Sequence, residues 1–417
     1  MIQQDLFNTE EIQIVEQKPT FDKEEYQSIV LKSNVKHDEY TDYIQKKFDL
    51  QINDVSKVCI PNKLNIKTLG EWNIGVICGA SGSGKSTILK HLCNNFGGGK
   101  ISNPTFENDK CLISNFDNMT PQEATLLLSS IGLASVPTWI RPFNVLSNGE
   151  QHRASLAKAI SEAKDEIIYI DEFTSVVDRD VAKAMSNALQ KYIRKNNKRI
   201  ILATCHYDIL EWLRPDWIYD LNKGGALEKG DYLRRPQIEL QVYRTTTNLW
   251  ERFKKYHYMT SELNEASTCF VFTWNNKMVA FNAILPMPSG SYKNAWREHR
   301  LVVLPDFQGL GIGSHISVFC GAILKSVNRT YYTKTINPAL GLYRDNHPNE
   351  WKKTAKYQKC ETQEHIYKWS KIGVGTLTRP SFTHKFIGKP IYGYENLLLP
   401  IDQIRYNKAN ENQLNLF

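Results

Sequence analysis

The sequence predicts two successive α/β domains, and three observations carry that expectation. A glycine-rich loop, GASGSGKST at 79–87, stands between a short apolar run, VIC, and a helical pattern, STILKHLC. A second apolar run, IIYID at 167–171, ends in an acid and is followed by a third, IILATCH; apolar runs of this length between helical stretches read as buried strands. After Gly230 the pattern changes to short strands and turns, IELQVYR, TCFVFTW and MVAFNAILPMP, and then repeats the order strand, glycine turn, helix in HRLVVLP, QGLGIGS and HISVFCGAILKSV. The expected boundaries are an N-terminal extension over 1–50, a first domain over 51–230, a second, α+β domain over 237–395 and a flexible tail over 396–417.

The chain's 417 residues suffice for two or three domains with their own cores, and 41% apolar with 23% charged residues is ordinary for a soluble globular protein. No window approaches about 18 consecutive apolar residues, and the start, MIQQDLFNTEE, is polar and acidic, so a cytoplasmic protein without a membrane span is expected. Eight cysteines (Cys59, Cys78, Cys93, Cys111, Cys205, Cys269, Cys320, Cys360) are scattered without a CxxC pair and read as reduced thiols, neither zinc ligands nor disulfides. The net charge is +8, and residues 351–390 hold nine Lys and Arg against two Glu. That excess suits a polyanionic partner.

Between a strand and a helix, the first glycine loop is a phosphate cradle. Gly79, Gly82 and Gly84 let backbone N–H groups close around phosphates at the positive end of the following helix, with Lys85 reaching the terminal phosphates and Ser86 on magnesium. Asp171, closing the IIYID strand, sits at the carboxyl edge of the sheet near that magnesium, and Glu172 beside it is placed to orient or deprotonate an attacking water. Thr174, Ser175 and Asp178 follow, and His206 closes the next strand.

These residues, with LSNGEQHRASLAKAI at 146–160, resemble the ABC-type ATPases. The resemblance implies ATP held with Mg2+ by Gly79, Ser81, Gly82, Gly84, Lys85, Ser86 and Thr87, catalytic duties for Glu172 and His206, and magnesium on Ser86 and Asp171. It also implies an ATP-dependent homodimer in which Ser147 and Gly149 of one copy complete the site of the other. Three departures stand out: Phe173 replaces the usual proline, Asn148 replaces a glycine, and the segment between Lys85 and Ser147 is short, with Gln122 the nearest Q-loop candidate. Transport ATPases touch their membrane partners through that segment, so the reduction argues against a transporter.

In the second half, Gln308, Gly311 and Gly313 stand in the Q/R-x-x-G-x-G/A spacing after VVLP, the central motif of the GNAT acyltransferases, which the segment 237–395 resembles. That implies acetyl-CoA, or another acyl-CoA, held by Gln308, Gly309, Gly311, Gly313 and Ser314. It further implies Tyr343 as the acid for the departing thiolate and Glu298 as the base, with His299 the alternative. KYHYMTSELN, AILPMP, WREHRLVVLP and the basic tail are similar to GNAT domains fused to ABC-type ATPases and related to the Mom-type DNA-modifying acyltransferases of phages, which implies a nucleobase acceptor.

Gln413–Phe417, QLNLF, resembles the peptide that docks on the bacterial sliding clamp, and Gln3–Phe7, QQDLF, has the same shape. Between them, Trp351, Tyr357, Tyr367, Trp369, Phe382 and Phe386 alternate with cations in a pattern suited to phosphate contact and base stacking. The expected function is an ATP-dependent N-acyltransferase acting on DNA bases and tethered to the clamp. The alternatives are a tRNA N-acetyltransferase with an ATPase module and a clamp-associated DNA-binding ATPase whose second domain senses acyl-CoA without catalysis.

Overall fold

The computed structural model describes residues 28–48, 53–96, 101–163, 167–257, 262–288, 293–354, 381–403 and 412–416. The chain divides into two compact units, Met1–Leu64 and Asn65–Phe417. In the first, β1 (Ser28–Asn34) and β2 (Val55–Pro61) flank α1 (Glu39–Phe48) and pair antiparallel, from Ser28↔Pro61 to Asn34↔Val55. Because β2 needs β1 as its partner, this unit runs past the expected boundary at residue 50.

The second unit opens with the ATPase-like half. Its elements are β3 (Ile74–Cys78), α2 (Lys85–Phe96), α3 (Pro121–Ser130), α4 (Val136–Trp139), α5 (Asn148–Glu162), β4 (Ile168–Ile170), α6 (Arg179–Lys195), β5 (Ile200–Thr204), α7 (Leu210–Leu213), β6 (Trp217–Asp220) and β7 (Ala226–Lys229). The sheet order is β4-β5-β3-β6-β7, parallel except for β7. All five residues of β3 and of β5 are buried, as expected of strands covered on both faces. The helices start on recognisable caps. Thr120 and Ser147 close reciprocal boxes with Glu123 and Glu150, and Asp178 accepts from the amide of Asp180 to begin α6.

The other half is built on a sheet ordered β13-β14-β12-β11-β10-β9-β8-β15. Its elements are β8 (Ile238–Thr245), β9 (Thr268–Trp274), β10 (Lys277–Pro286), β11 (Ala295–Val303), α8 (Ile312–Ser326), β12 (Thr330–Thr335), α9 (Pro338–Asp345), β13 (Trp351–Lys353), β14 (Phe382–Phe386) and β15 (Asn412–Leu416). Two irregularities shape the site. On β11 the register with β10 passes from Arg300 to Glu298, leaving His299 as the extra residue of a bulge. And β11 pairs with its parallel neighbour β12 only through Ala295–Arg297, so beyond Arg297 the two strands part and leave a gap.

Two expectations are corrected here. The chain end is not a free peptide: Gln413, Leu414 and Leu416 stand in register opposite Gln241, Leu240 and Ile238 of β8. An edge strand presents unpaired N–H and C=O groups, and the backbone of 412–416 satisfies them. Nor are the aromatics of the basic stretch free stacking platforms where they are described. Trp351 and Phe386 are 2% and 5% exposed in the core, and the Phe382 ring lies where a side chain at Gly341 would stand. Gln3–Phe7, Tyr357, Tyr367, Trp369 and Phe417 lie outside the described residues.

The closest packing in the first sheet is at Gly75, where an added Cβ would fall 1.9 Å from the Trp217 ring, itself 3% exposed. Gly75→Ala is expected to destabilise the protein by about 1–3 kcal/mol, seen as a lower denaturant midpoint at unchanged slope. An unchanged midpoint would contradict this packing.

Candidate functional site

The two glycine loops build two sites. In the first, β3 ends at Cys78 and α2 begins at Lys85, so the loop fills the space between a buried strand's carboxyl end and a helix N-terminus. Gly82 and Gly84 hold φ of +78° and +98°, values that turn backbone amides inward and that side chains resist. Lys85 Nζ donates to the carbonyls of Gly79 and Ala80 at 3.0 and 2.7 Å, which lays the ammonium along the loop. Ser81 lies in the loop, and Ser86 and Thr87 in the first turn of α2.

Asp171 follows β4 and His206 follows β5, at the same carboxyl edge of the parallel sheet as the loop. The turn after Asp171 is strained: Glu172 and Thr174 have φ of +50° and +70°, at a cost of about 1–3 kcal/mol each. Three contacts hold it. The Glu172 amide donates to Asp171 Oδ1 (2.9 Å), the Phe173 amide to the Ala203 carbonyl (2.8 Å), and Thr174 Oγ1 lies 3.1 Å from His206 Nδ1. The second bond explains one departure from the family pattern, since a proline at 173 would have no N–H to give. Burial, with Arg179 and Lys85 nearby, lowers the His206 pKa and favours the neutral ring.

Ser147 and Gly149 open α5, and the Ser147 side chain is exposed there. Among the described residues no hydrogen bond joins them to the 79–87 loop. Asn148 is the first residue of α5 and lacks a positive φ, so that turn does not require glycine. Gln122 is an exposed residue in the first turn of α3, and among the described residues no hydrogen bond joins it to either glycine loop.

The second site is a cavity of about 410 Å3 in the gap between β11 and β12. It brings together the loop residues Gln308, Gly309, Gly311, Gly313 and Ser314 with Glu298, His299 and Tyr343. Gly311 caps α8, so the amides of Ile312, Gly313 and Ser314 are the unpaired first-turn donors of that helix. A Cβ at Gly313 would meet Val303 at 3.3 Å, which keeps the loop narrow. The cradle therefore fits a pyrophosphate, and the open edge of β11 fits an extended chain leading away from it. Burial and the neighbouring Glu350 push the Tyr343 phenol up to about 12, so it carries its proton at neutral pH; its hydroxyl donates to Glu350 Oε2 at 3.4 Å.

Glu298 lines the cavity but is not free to act as a base. Its carboxylate accepts from Arg344 Nη2 (2.8 and 3.1 Å), Ser317 Oγ (2.8 Å) and Tyr331 OH (3.1 Å), with Arg344 fully buried and Glu298 7% exposed. Three of these contacts fall on Oε2 and one on Oε1, so both oxygens are engaged in a buried network rather than turned freely to an acceptor. The structure thus corrects the expectation of a general base at 298. Its alternative, His299, is held neutral by burial and by Arg300 and Arg297, with its pKa near 4, and its Nε2 accepts the Asn264 amide at 3.3 Å.

Sequence reasoning missed the contribution of the first half to this cavity. Ser129, Ser130, Ala134 and Lys191 line it. The Ala134 amide donates to Gln308 Oε1 (2.8 Å), Gln308 Nε2 to the Val303 carbonyl (3.0 Å) and Asn187 Nδ2 to the Gly309 carbonyl (2.8 Å). The motif glutamine is a strut between the halves. Small residues at 184 and 188 on a helical face were the available signal, but nothing in sequence says what they face.

Among the described residues no helix is long and apolar enough to cross a membrane, no group of three or more His, Cys, Asp and Glu could hold a metal ion, and no disulfide joins the cysteines.

Comparison with known proteins finds two family matches, which overlap at residues 207–215. The family model described as ATPase family associated with various cellular activities matches residues 76–215, and that of the acetyltransferase (GNAT) family matches 207–317. The iron-sulfur cluster assembly protein SufC of Plasmodium berghei is 31% identical over 31% of this chain and 36% of its own. The probable ATP-dependent transporter SufC of Escherichia coli is 27% identical over 28% and 48%. The chain thus spans less than half the length of these two relatives. The lipoprotein-releasing system ATP-binding protein LolD of Rickettsia felis is 26% identical over 42% of this chain and 96% of its own. A solved ATP-binding cassette, described as dimeric in a post-hydrolysis state with ADP and phosphate, matches with 18% identity and a TM-score of 0.34 over 43% of this chain and 94% of that one. With both glycine loops in their structural contexts, the chain joins an ABC-type P-loop ATPase domain to a GNAT acetyltransferase domain.

Proposed function

We propose that the protein is an ATP-controlled N-acyltransferase whose acceptor is a nucleic-acid base, DNA before RNA. The observation that carries the ATP control is the seating of the acyl-CoA loop on the ATPase domain, through Asn187 on Gly309 and Ala134 on Gln308. An independent acyltransferase would need no such strut. The helix that holds Gly309 is capped by Asp178, seven residues after Asp171, which would hold Mg2+, so a change at the ATP site would have a rigid route to the loop.

In the ATP site, Lys85 and the loop amides would bind the phosphates, Ser86 and Asp171 the Mg2+, and Glu172 would orient the water. The exposed start of α5 at Ser147 and Gly149 would close on the ATP of a second copy, making the working form a dimer. In the other site the α8 amides would hold the CoA pyrophosphate. The acceptor nitrogen forms its bond to the thioester carbonyl carbon, the C–S bond breaks, and the Tyr343 phenol delivers its proton to the departing sulfur. The amine proton leaves to water. The nucleic-acid acceptor is supported by the net charge of +8 and by the cation-rich stretch 351–390.

A second reading has one observation in its favour. With the Glu298 carboxylate filled by donors, the domain would sense acyl-CoA and leave the acceptor untouched.

Nucleosides from cells making the intact protein, analysed by mass spectrometry with DNA and RNA separated, are expected to contain a new acylated deoxynucleoside. Tyr343→Phe is expected to reduce it by roughly 10- to 100-fold, in the range for loss of an acid group; Lys85→Ala is expected to abolish it. A modified ribonucleoside would move the acceptor to RNA, and unchanged pools would leave the sensor reading. On the ATP side, Glu172→Gln is expected to retain ATP while slowing hydrolysis at least about 100-fold. Wild-type turnover in that variant would remove Glu172 from the site.

A further inference from the structure

The face that α6 turns to the acetyltransferase domain is continuous. Asp180 pairs with Lys277 (2.6 Å), Ala184 lies in that domain's core cluster, Asn187 bonds the Gly309 carbonyl, and Ala188 lies where a side chain at Gly309 would stand, 2.7 Å from its Cβ. The next residue on this face, one turn on, is Lys191, which lines the cavity. Neither family motif accounts for it.

A second cation stands near it: Arg235 Nη2 donates to the Leu310 carbonyl (3.2 Å). On α8 the His315 ring, held neutral by burial, lies with Nδ1 2.8 Å from the Gly311 carbonyl. Among the described residues Lys191 has no ion-pair partner, while burial and Arg235 push its pKa down to about 8. A buried ammonium in a cavity that first-turn amides of a helix also line is costly to keep charged unless an anion joins it. The loop, α8 and Lys191 therefore surround one volume with donors and positive charge.

We propose that Lys191 of the ATPase domain is a phosphate ligand of acyl-CoA, so that the bound thioester is gripped by both domains at once. This rests on the reading of the cavity as the acyl-CoA site and adds a ligand that the acetyltransferase domain does not supply. Both the pyrophosphate and the 3′-phosphate of CoA have the required chemistry.

The test is the dissociation constant of CoA and of 3′-dephospho-CoA, by titration calorimetry, for the full-length wild type, Lys191→Gln and Lys191→Arg. Each variant's MgATP affinity and melting temperature report that the ATPase domain is intact. Lys191→Gln is expected to weaken CoA roughly tenfold or more, with Lys191→Arg restoring most of the loss and MgATP affinity unchanged. An equal loss for dephospho-CoA assigns the contact to the pyrophosphate; a loss confined to CoA assigns it to the 3′-phosphate. Wild-type CoA affinity in Lys191→Gln would overturn the proposal while leaving the acyl-CoA site standing. A wild type that binds no CoA would overturn both.

Discussion

The interaction on which the rest depends is the seating of Gly309 against α6. Asn187 satisfies the Gly309 carbonyl, Ala184 and Ala188 are small enough for the loop backbone to come close, and Gly309 itself, at φ +92°, has no side chain in the way. From that contact the loop fixes the start of α8, and α8 fixes the end of the cavity lined by its first-turn residues. The helix that supplies the contact is capped by Asp178, just beyond the strained Glu172–Thr174 turn. At about 1.5 Å per residue, the distance from that cap to Lys191 is roughly 20 Å along a single rigid element. A helix in a close-packed interior transmits small displacements instead of absorbing them.

A second constraint sets the other end of the cavity. The bulge at His299 and the end of β11–β12 pairing after Arg297 open the gap, and a buried ion pair spans it. Arg344 of α9 is held on Glu298 of β11, with Ser317 of α8 bonded to both. Since Tyr343 precedes Arg344, the pair also fixes the turn of α9 that brings the phenol to the cavity. Breaking a pair of this kind leaves a buried charge uncompensated, so Glu298 has a structural reason for being an acid.

Much of this was legible from sequence. The two strand–glycine loop–helix units sit where their apolar runs and glycines place them, because backbone needs dictate both. Gly79–Thr87, Asp171, His206 and the Gln308–Ser314 loop could be read for the same reason. Side-chain partnership was less readable. Glu298 occurs on the right strand for a base, yet its role is decided by Arg344, 46 positions away. Gln308 matches the loop motif, yet its carbonyl oxygen accepts from Ala134 in the other half of the chain. The terminal QLNL reads equally as a docking peptide and as an edge strand, because alternating apolar residues suit both; pairing with β8 decides it here. Long-range contacts of this kind have no local periodicity to announce them.

On the function proposed above, ATP and acyl-CoA occupy sites joined by one helix, which makes their affinities interdependent and reciprocal. The direct measurement is CoA affinity with and without saturating MgATP in the hydrolysis-slowed Glu172→Gln protein, paired with MgATP affinity with and without CoA. Each ligand is expected to shift the affinity of the other by the same factor, about fivefold or more. Two affinities that ignore each other would contradict it.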